Sequence, residues 1–309
     1  MVLYTIIIPH KDIPSLLKRC LDSIPCRPDI EIIVVDDNSN EESIKELRKI
    51  FRQNFQIIYT TENKGAGHAR NIGLKIAKGK WIIFADADDV FQSSFDKILN
   101  CLSNDDLSDI VNFDVTSRNS ETNESNNEIE KINYHCTEKK YTKNPISFKY
   151  VTLVPWGKII RKDFIQRNNL SFEEVKYGND LRFASLCDFH CRSRKIIPIV
   201  GYCWMYRQNS LWRQNNLEWA ETRHRVLVEN GLLMRSLGEK EFGNRLINGS
   251  IDFLLEIRKH SYKKFLVTLI SYVVSTRNFQ VLFTCIPYFI IQDIVNSVVK
   301  GLKRLSNRN

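Results

Sequence analysis

Apolar and polar residues follow one another along the first 115 residues in blocks whose period switches between strand and helix. Residues 3–8 (LYTIII) form a β-rich run closed by Pro9, after which Leu16, Leu17, Cys20, Leu21 and Ile24 recur at helical spacing. Residues 30–35 predict a second strand that stops abruptly at Asp36-Asp37, and a charged helix is expected over 41–53. A strand at 56–59, a helix through Ala69, Ile72, Gly73 and Ile76, and a strand at 81–85 come next; the last ends in Asp86-Ala87-Asp88-Asp89. Residues 110–115 supply a candidate fifth strand. Near-continuous apolar strands separated by helices predict an α/β fold, a mostly parallel sheet flanked by helices on both faces. Such sheets bind ligands outside the carboxyl ends of their strands. Two of these ends carry clustered aspartates, which places two acidic groups on one crevice.

The pattern changes beyond 115. Residues 117–130 (SRNSETNESNNEIE) are polar and low in complexity, an exposed loop between two halves. A short stretch at 154–160 follows, then a helix start at Gly178-Asn179-Asp180, a strand at 196–200, and helical spacing from about 216. The expected division is a catalytic domain at 1–215, with halves at 1–115 and 116–215, and a helical, basic region at 216–309. Within that region, 265–299 holds only two charged residues, Arg277 and Asp293, and is followed by Lys300, Lys303, Arg304 and Arg308. Its uncharged runs, 265–276 and 278–292, are shorter than the roughly 18–20 residues that span a bilayer, and Pro287 interrupts the second. Two readings stand: core helices of a small subdomain, or a monotopic segment in the membrane interface with basic residues on anionic headgroups. The basic flank favours the second.

Composition narrows the class. A hydrophobic fraction of 43%, a charged fraction of 26%, 17 Phe and 11 Tyr are those of a globular protein. Met1 leads straight into a strand, so no secretory leader is expected. Eight widely separated cysteines read as reduced thiols of a cytosolic protein, not as a disulfide scaffold. Charge is uneven: residues 1–199 carry 29 Lys/Arg and 28 Asp/Glu, whereas 200–309 carry 16 and 8. A basic end attracts anionic lipid or nucleic acid. Here the basic residues adjoin apolar runs rather than stacking aromatics, which speaks against nucleic acid.

Three segments carry candidate chemistry. The carboxylates of Asp86, Asp88 and Asp89 repel one another unless a cation or a donor sits among them. Oxygen ligands at that spacing suit Mg²⁺ or Mn²⁺ completed by substrate phosphate; the alternative is an acidic turn that caps the next helix. Asp36-Asp37-Asn38-Ser39 offers a carboxylate for a nucleoside base or ribose, or else an Asn or Ser N-cap for the helix at Glu41. The run from Asn63 through Gly65, Gly67, His68 and Arg70 opens a helix whose N-terminus suits phosphate. Arg70 stands where a dinucleotide fingerprint needs glycine, and the run follows the third strand, so that fingerprint fails. Cys187, His190 and Cys191 lie close together in sequence, but a zinc site needs more ligands, and they read as packing.

Taken in order, the strand ending in Pro9, VVDDNS, ENKGAGHARNIG and FADADD resemble the nucleotide-binding half of inverting glycosyltransferases of family 2, which have the GT-A fold. The resemblance covers roughly residues 1–200. It implies that Asp37 contacts a uracil or equivalent base, that Asp86 reaches the ribose, that Asp88 ligates Mn²⁺ or Mg²⁺, and that Arg70 faces the donor. Pro9 lies where the nucleoside sits; the role of His10 beside it stays open. Asp180 matches the general base that begins a helix below the acceptor site, with Asn179 where the family usually has Glu. Trp156-Gly157-Lys158 resembles the tryptophan-containing stretch preceding that base, and Tyr206-Arg207-Gln208-Asn209-Ser210 a segment that closes over the donor diphosphate, with Arg207 its candidate ligand.

The activity thereby implied is metal-dependent, inverting transfer of a hexose or N-acetylhexosamine. It runs from a nucleotide sugar, UDP-linked through Asp37, to a glycan acceptor carried on a polyprenyl diphosphate, in cell-surface polysaccharide synthesis. The place implied is the cytoplasmic face of the inner membrane. A catalytically silent nucleotide-sugar-binding scaffold is the alternative that Asn179 raises. A nucleotidyltransferase fits less well, because a Gly-rich, Lys-bearing loop after the first strand is missing.

Overall fold

The computed structural model describes residues 2–103, 105–125, 142–207 and 214–278. The chain divides into two units, Met1–Gln214 and Asn215–Asn309. In the first unit the opening blocks form β1 (Tyr4–His10), α1 (Pro14–Ser23), β2 (Ile30–Asp36), α2 (Glu41–Leu47), β3 (Phe55–Tyr59), α3 (Ala66–Ile76) and β4 (Trp81–Phe84). Every residue of β1 and β2 is buried, as an apolar strand covered on both faces requires. Their period of two sorts the side chains. Tyr4, Ile6 and Ile8 join one core with Leu17, Cys20 and Leu21 of α1. Ile7, Ile33 and Val35 join another, with Ala69 of α3.

Next come β5 (Val90–Phe91), α4 (Phe95–Asn100), β6 (Ile110–Asn119), β7 (Lys158–Arg161), α5 (Lys162–Arg167), α6 (Leu181–His190) and β8 (Arg194–Tyr206). The sheet order is β3-β2-β1-β4-β7-β6-β8-β5. Strands β1 to β4 pair in parallel. From β4 outward the sheet is mixed: β7 runs antiparallel to β4 and β6, β6 and β8 are parallel with two register shifts, and β5 is antiparallel to β8.

Some boundaries move. Strand β1 continues through Pro9 to His10, with Pro9 opposite Val35. Leu3 and Ile7 present carbonyls to Trp81 and Ala85, while the His10 carbonyl accepts from Asp37. Odd residues of β1 therefore face β4, and β4 ends at Phe84. The N–H that proline lacks would point past that end, so the ladder loses nothing. Helix α2 stops at Leu47 instead of reaching 53 because Arg52 ties the following segment to the end of α1, donating to the Ile24 carbonyl at 2.5 Å and the Pro25 carbonyl at 3.1 Å. Its N-cap is Asn40, which accepts the Ser43 N–H at 2.9 Å, rather than Asn38 or Ser39. Strand β6 takes up the first residues of the expected loop before a turn at Asn119; residues 126–130 of that loop lie outside the described residues.

The second unit contains α7 (Leu217–Ser236), α8 (Lys240–Gly249), α9 (Ile251–His260) and α10 (Tyr262–Thr276). Asn216 and Ser261 cap α7 and α10 with their side chains. The core joins Ala220, Val228, Ile247, Leu254, Ile257, Phe265, Leu269 and Tyr272. Helices α7 and α8 touch at backbone level, since a Cβ on Gly231 would lie 2.8 Å from the Gly243 carbonyl oxygen. Among the described residues no helix is long and apolar enough to cross a membrane. Residues 279–309, with most of the apolar tail, lie outside the described residues.

Candidate active site

The carboxyl ends of β1, β2 and β4 and the last residues of β8 carry the candidate groups. Asp36 is fully buried. Its Oδ1 lies 2.7 Å from His10 Nδ1 and accepts the Ser39 hydroxyl at 2.5 Å, and its Oδ2 accepts the Ser39 N–H at 3.0 Å. His10 Nε2 accepts the Ile13 N–H at 3.2 Å, so Nδ1 carries the proton. Burial alone would raise the Asp36 carboxyl, but the His10 and Ser39 donors outweigh it and hold it below the usual carboxylate range. Of the paired aspartates after β2, this one serves the fold.

Asp37 turns the other way. Its two oxygens accept the N–H groups of Lys64 at 3.0 Å and Gly65 at 2.8 Å, at the entry to α3. Gly65 holds φ at 90°, a value that glycine adopts without strain. Asp37 thus fixes the β3–α3 loop against β2, and each oxygen keeps a lone pair beyond these bonds.

The acidic turn after β4 separates its three carboxylates. Asp86 accepts from Arg70 Nη2 at 2.5 Å. Asp88 accepts from Arg207 Nε at 2.8 Å, and its carbonyl takes Arg19 Nη2 at 2.6 Å. Asp89 points inward, 1% exposed, and accepts the Tyr202 hydroxyl and the Met205 N–H, each at 2.7 Å. The same hydroxyl accepts the Asp86 N–H at 2.9 Å. Burial and the nearby Asp86 charge raise the Asp88 carboxyl, with Arg207 acting against them. Burial, helped by Asp88 and Asp86, pushes Asp89 well up. Trp156 stacks on Tyr202 at 5.7 Å, so the tryptophan ahead of the candidate base Asp180 is packed beneath this turn.

Arg70, 5% exposed, joins the two halves of the unit. Beside its bond to Asp86, Nη1 donates to Asn179 Oδ1 at 2.9 Å, and its guanidinium lies 5.3 Å from the centre of the Phe172 ring. Asn179 immediately precedes Asp180, which stands at the N-cap of α6 without capping it through its side chain. Gly67 lets α3 approach this segment: a Cβ there would sit 2.0 Å from the Glu173 carbonyl oxygen.

The arrangement links Asp37, Arg70, Asp86, Asp88, Arg207 and the residue beside Asp180 to one another through the loops at these strand ends. Pro9 is buried in β1 beside them. His68 lies between Glu174 at 3.0 Å and Glu62 at 3.5 Å on the surface of α3. Cys187 is buried in a core, where burial raises its thiol; burial also pushes Cys191 up to about 11. Among the described residues no group of three or more His, Cys, Asp or Glu is placed to hold a metal. Arg19, Tyr202, the inward turn of Asp89 and the partnership of Arg70 with Asn179 went unseen in the sequence. Arg19 reads as an ordinary polar position of an amphipathic helix, and Tyr202 as one strand aromatic among several.

Residues 5–168 match the family model described as Glycosyl transferase family 2. That is more than half of the chain, and the chain belongs to this family. It is a glycosyltransferase. The uncharacterized glycosyltransferase YibD of Escherichia coli K12 is 25% identical over 236 residues, covering 72% of this chain and 68% of that protein. The poly(ribitol-phosphate) beta-glucosyltransferase of Bacillus spizizenii is 38% identical over 96 residues, 29% of this chain and 15% of that protein. Among solved structures, S. aureus TarS 1-349 in complex with UDP-GlcNAc aligns with a TM-score of 0.59 at 19% identity, covering 85% of this chain and 74% of that one. The chain spans 43% of the longer TarS chain. These likenesses bear out the GT-A-like α/β fold.

Proposed function

We propose that this glycosyltransferase moves a hexose or N-acetylhexosamine, with inversion, from a UDP-sugar to a hydroxyl of a lipid-linked glycan during cell-surface polysaccharide synthesis. The observation that carries the proposal is the Arg70 bridge, which ties Asp86, on the donor side, to the residue preceding Asp180, on the acceptor side. The UDP-GlcNAc named for TarS supports a UDP-linked donor. The glucosyltransferase named for Bacillus spizizenii supports a polymer acceptor.

In this reading Asp37 receives the base and Asp86 the ribose, with Pro9 beside them in the wall of the nucleoside site. Asp88, with Asp86 beside it, would hold a divalent ion. Asp86 and Asp88 each have one guanidinium partner, Arg70 and Arg207, and the lone pairs their oxygens keep beyond those bonds are the donors offered to the ion. Two hard carboxylate donors with substrate phosphate suit Mn²⁺ or Mg²⁺. Such an ion would supply electrostatic stabilisation of the departing diphosphate. Arg70 and Arg207 add donors on the same side. Asp180 takes the proton of the acceptor hydroxyl as that oxygen attacks the anomeric carbon. The bond from that carbon to the diphosphate oxygen breaks on the opposite face, and UDP leaves with the electron pair.

The partners are the sugar nucleotide, a polyprenyl-diphosphate glycan and an anionic membrane surface, at the cytoplasmic face of the membrane. The test is UDP release from a panel of UDP-sugars, with Mn²⁺ or with EDTA, with membrane lipid extract as acceptor. Release with one donor, dependent on metal and extract, is expected. Donor binding without release under any condition would instead mark a silent binding protein.

A further inference from the structure

We infer that the exposed face of α10 is the surface by which this chain lies on an anionic lipid bilayer. Tyr262, Leu266, Val267, Ile270 and Val274 are between 40% and 71% exposed. They make up five of the thirteen exposed large hydrophobic side chains among the described residues, on one helix of 15 residues. Tyr262, Leu266, Ile270 and Val274 recur every fourth residue and form a single ridge about 18 Å long. The opposite face, with Phe265, Leu269, Tyr272 and Val273, is buried in the core of the second unit. One helix therefore shows a used apolar face and an open one.

Charge selects the occupant. No Asp or Glu occurs between Glu256 and Asp293, whereas Arg258, Lys259, Lys263, Lys264 and Arg277 fall in that interval. Lys264 pairs with Glu221 and Lys259 with Glu256. Lys263 and Arg277, near the two ends of the ridge, are exposed and have no acidic partner among the described residues. A second copy laid antiparallel on this face would set Lys263 against Arg277 with no carboxylate to offset them. An apolar ridge with a cation at each end and an aromatic near its boundary matches the headgroup–acyl interface. This deepens the membrane part of the proposed function and does not depend on the donor or the chemistry.

The test is flotation of the full-length chain with vesicles of phosphatidylcholine alone or mixed with phosphatidylglycerol. Wild type, Val267→Asp with Ile270→Asp, and Phe51→Asp with Leu107→Asp are compared. The last pair adds the same two charges at exposed residues of the first unit. The expected result is binding of wild type to the mixed vesicles, about tenfold or more weakened in the α10 variant and kept in the control. Circular dichroism melts should coincide for all three. No binding by wild type, equal loss in both variants, or unchanged binding in the α10 variant would overturn the assignment. So would an α10 variant that loses self-association while wild type ignores vesicles. Vesicle binding as expected with no turnover of any UDP-sugar would count against the transferase reading and leave this surface standing.

Discussion

The guanidinium of Arg70 donates to the side-chain oxygen of Asn179 at 2.9 Å, across 109 residues of sequence. Where the resemblance expects a glutamate, this chain thus keeps an acceptor but not a charge. Arg70 remains formally paired with Asp86 alone, and Asn179 serves as a neutral strut next to the candidate base. Asn179→Leu should leave a buried guanidinium N–H unmet and destabilise the fold by about 1–3 kcal/mol in urea unfolding. Asn179→Glu should preserve the bond and the fold. Equal stability of wild type and Asn179→Leu would show that the strut carries nothing.

Donor and acceptor functions should separate by substitution. Asp180→Asn keeps the size of the side chain and removes proton acceptance, so UDP-sugar binding should stay at the wild-type level. Turnover should fall by roughly a hundred- to ten-thousandfold. Asp88→Asn should weaken donor binding in Mn²⁺ and lower turnover as well, because in the proposed reading it removes the negative charge that would hold the ion at the diphosphate. Calorimetric titration with UDP beside a release assay distinguishes the two. A variant at 180 that loses nucleotide binding would place Asp180 on the donor side.

Acid sensitivity has an identifiable contributor outside the site. Asp109 is 3% exposed and accepts from Arg161 at 3.0 Å and from the N–H groups of Arg192 and Ser193 at 2.9 and 3.1 Å. Arg167 is a further donor. Burial by itself would raise this carboxyl; those donors outweigh it and hold it below the usual range. A carboxyl lowered by folding stabilises the native state fully above its unfolded pKa of about 3.9, and that contribution disappears as pH falls through the folded value. Asp109→Asn should therefore cost about 3 kcal/mol at pH 7. The gap from wild type should narrow as the pH drops below about 4. Urea midpoints at neutral and acid pH check this, and a gap independent of pH would sink the assignment.

The fold was legible where residue type alone decides. Ile6, Ile7, Ile8, Ile32, Ile33 and Val34 are apolar on both faces of their strands, so β1 and β2 could be read directly, together with the crevice at their carboxyl ends. The site was legible only as a set of positions. Nothing in Asp36-Asp37 says that the first accepts from His10 while the second reaches Lys64 and Gly65, because neighbours at a strand end turn to opposite sides as the loop dictates. Nothing in Asp86-Ala87-Asp88-Asp89 says that the last carboxylate points inward, since its partners Tyr202 and Met205 lie more than a hundred residues away. Helix α2 ended early for a similar reason: Arg52 is held by carbonyls at the end of α1, which no local pattern encodes.

That inward carboxylate makes Tyr202 the most informative single residue of the site. Its hydroxyl donates to Asp89 at 2.7 Å and accepts the Asp86 N–H at 2.9 Å, so one buried oxygen holds both ends of the acidic turn. Tyr202→Phe keeps the stacking with Trp156 but leaves Asp89 with the Met205 N–H as its remaining donor of these two, and leaves the Asp86 N–H unmet. Two broken buried bonds should destabilise the chain by about 2–4 kcal/mol in urea unfolding. The turn should also loosen, and with it the position of Asp86 and Asp88. If Asp86 and Asp88 face the donor, the dissociation constant for UDP in Mn²⁺ should rise by about tenfold or more, at temperatures where the variant is fully folded. Circular dichroism sets those temperatures and calorimetry reads the affinity. A folded Tyr202→Phe chain with wild-type UDP affinity would mean that the turn is held well enough without this hydroxyl, and that Asp89 serves stability alone.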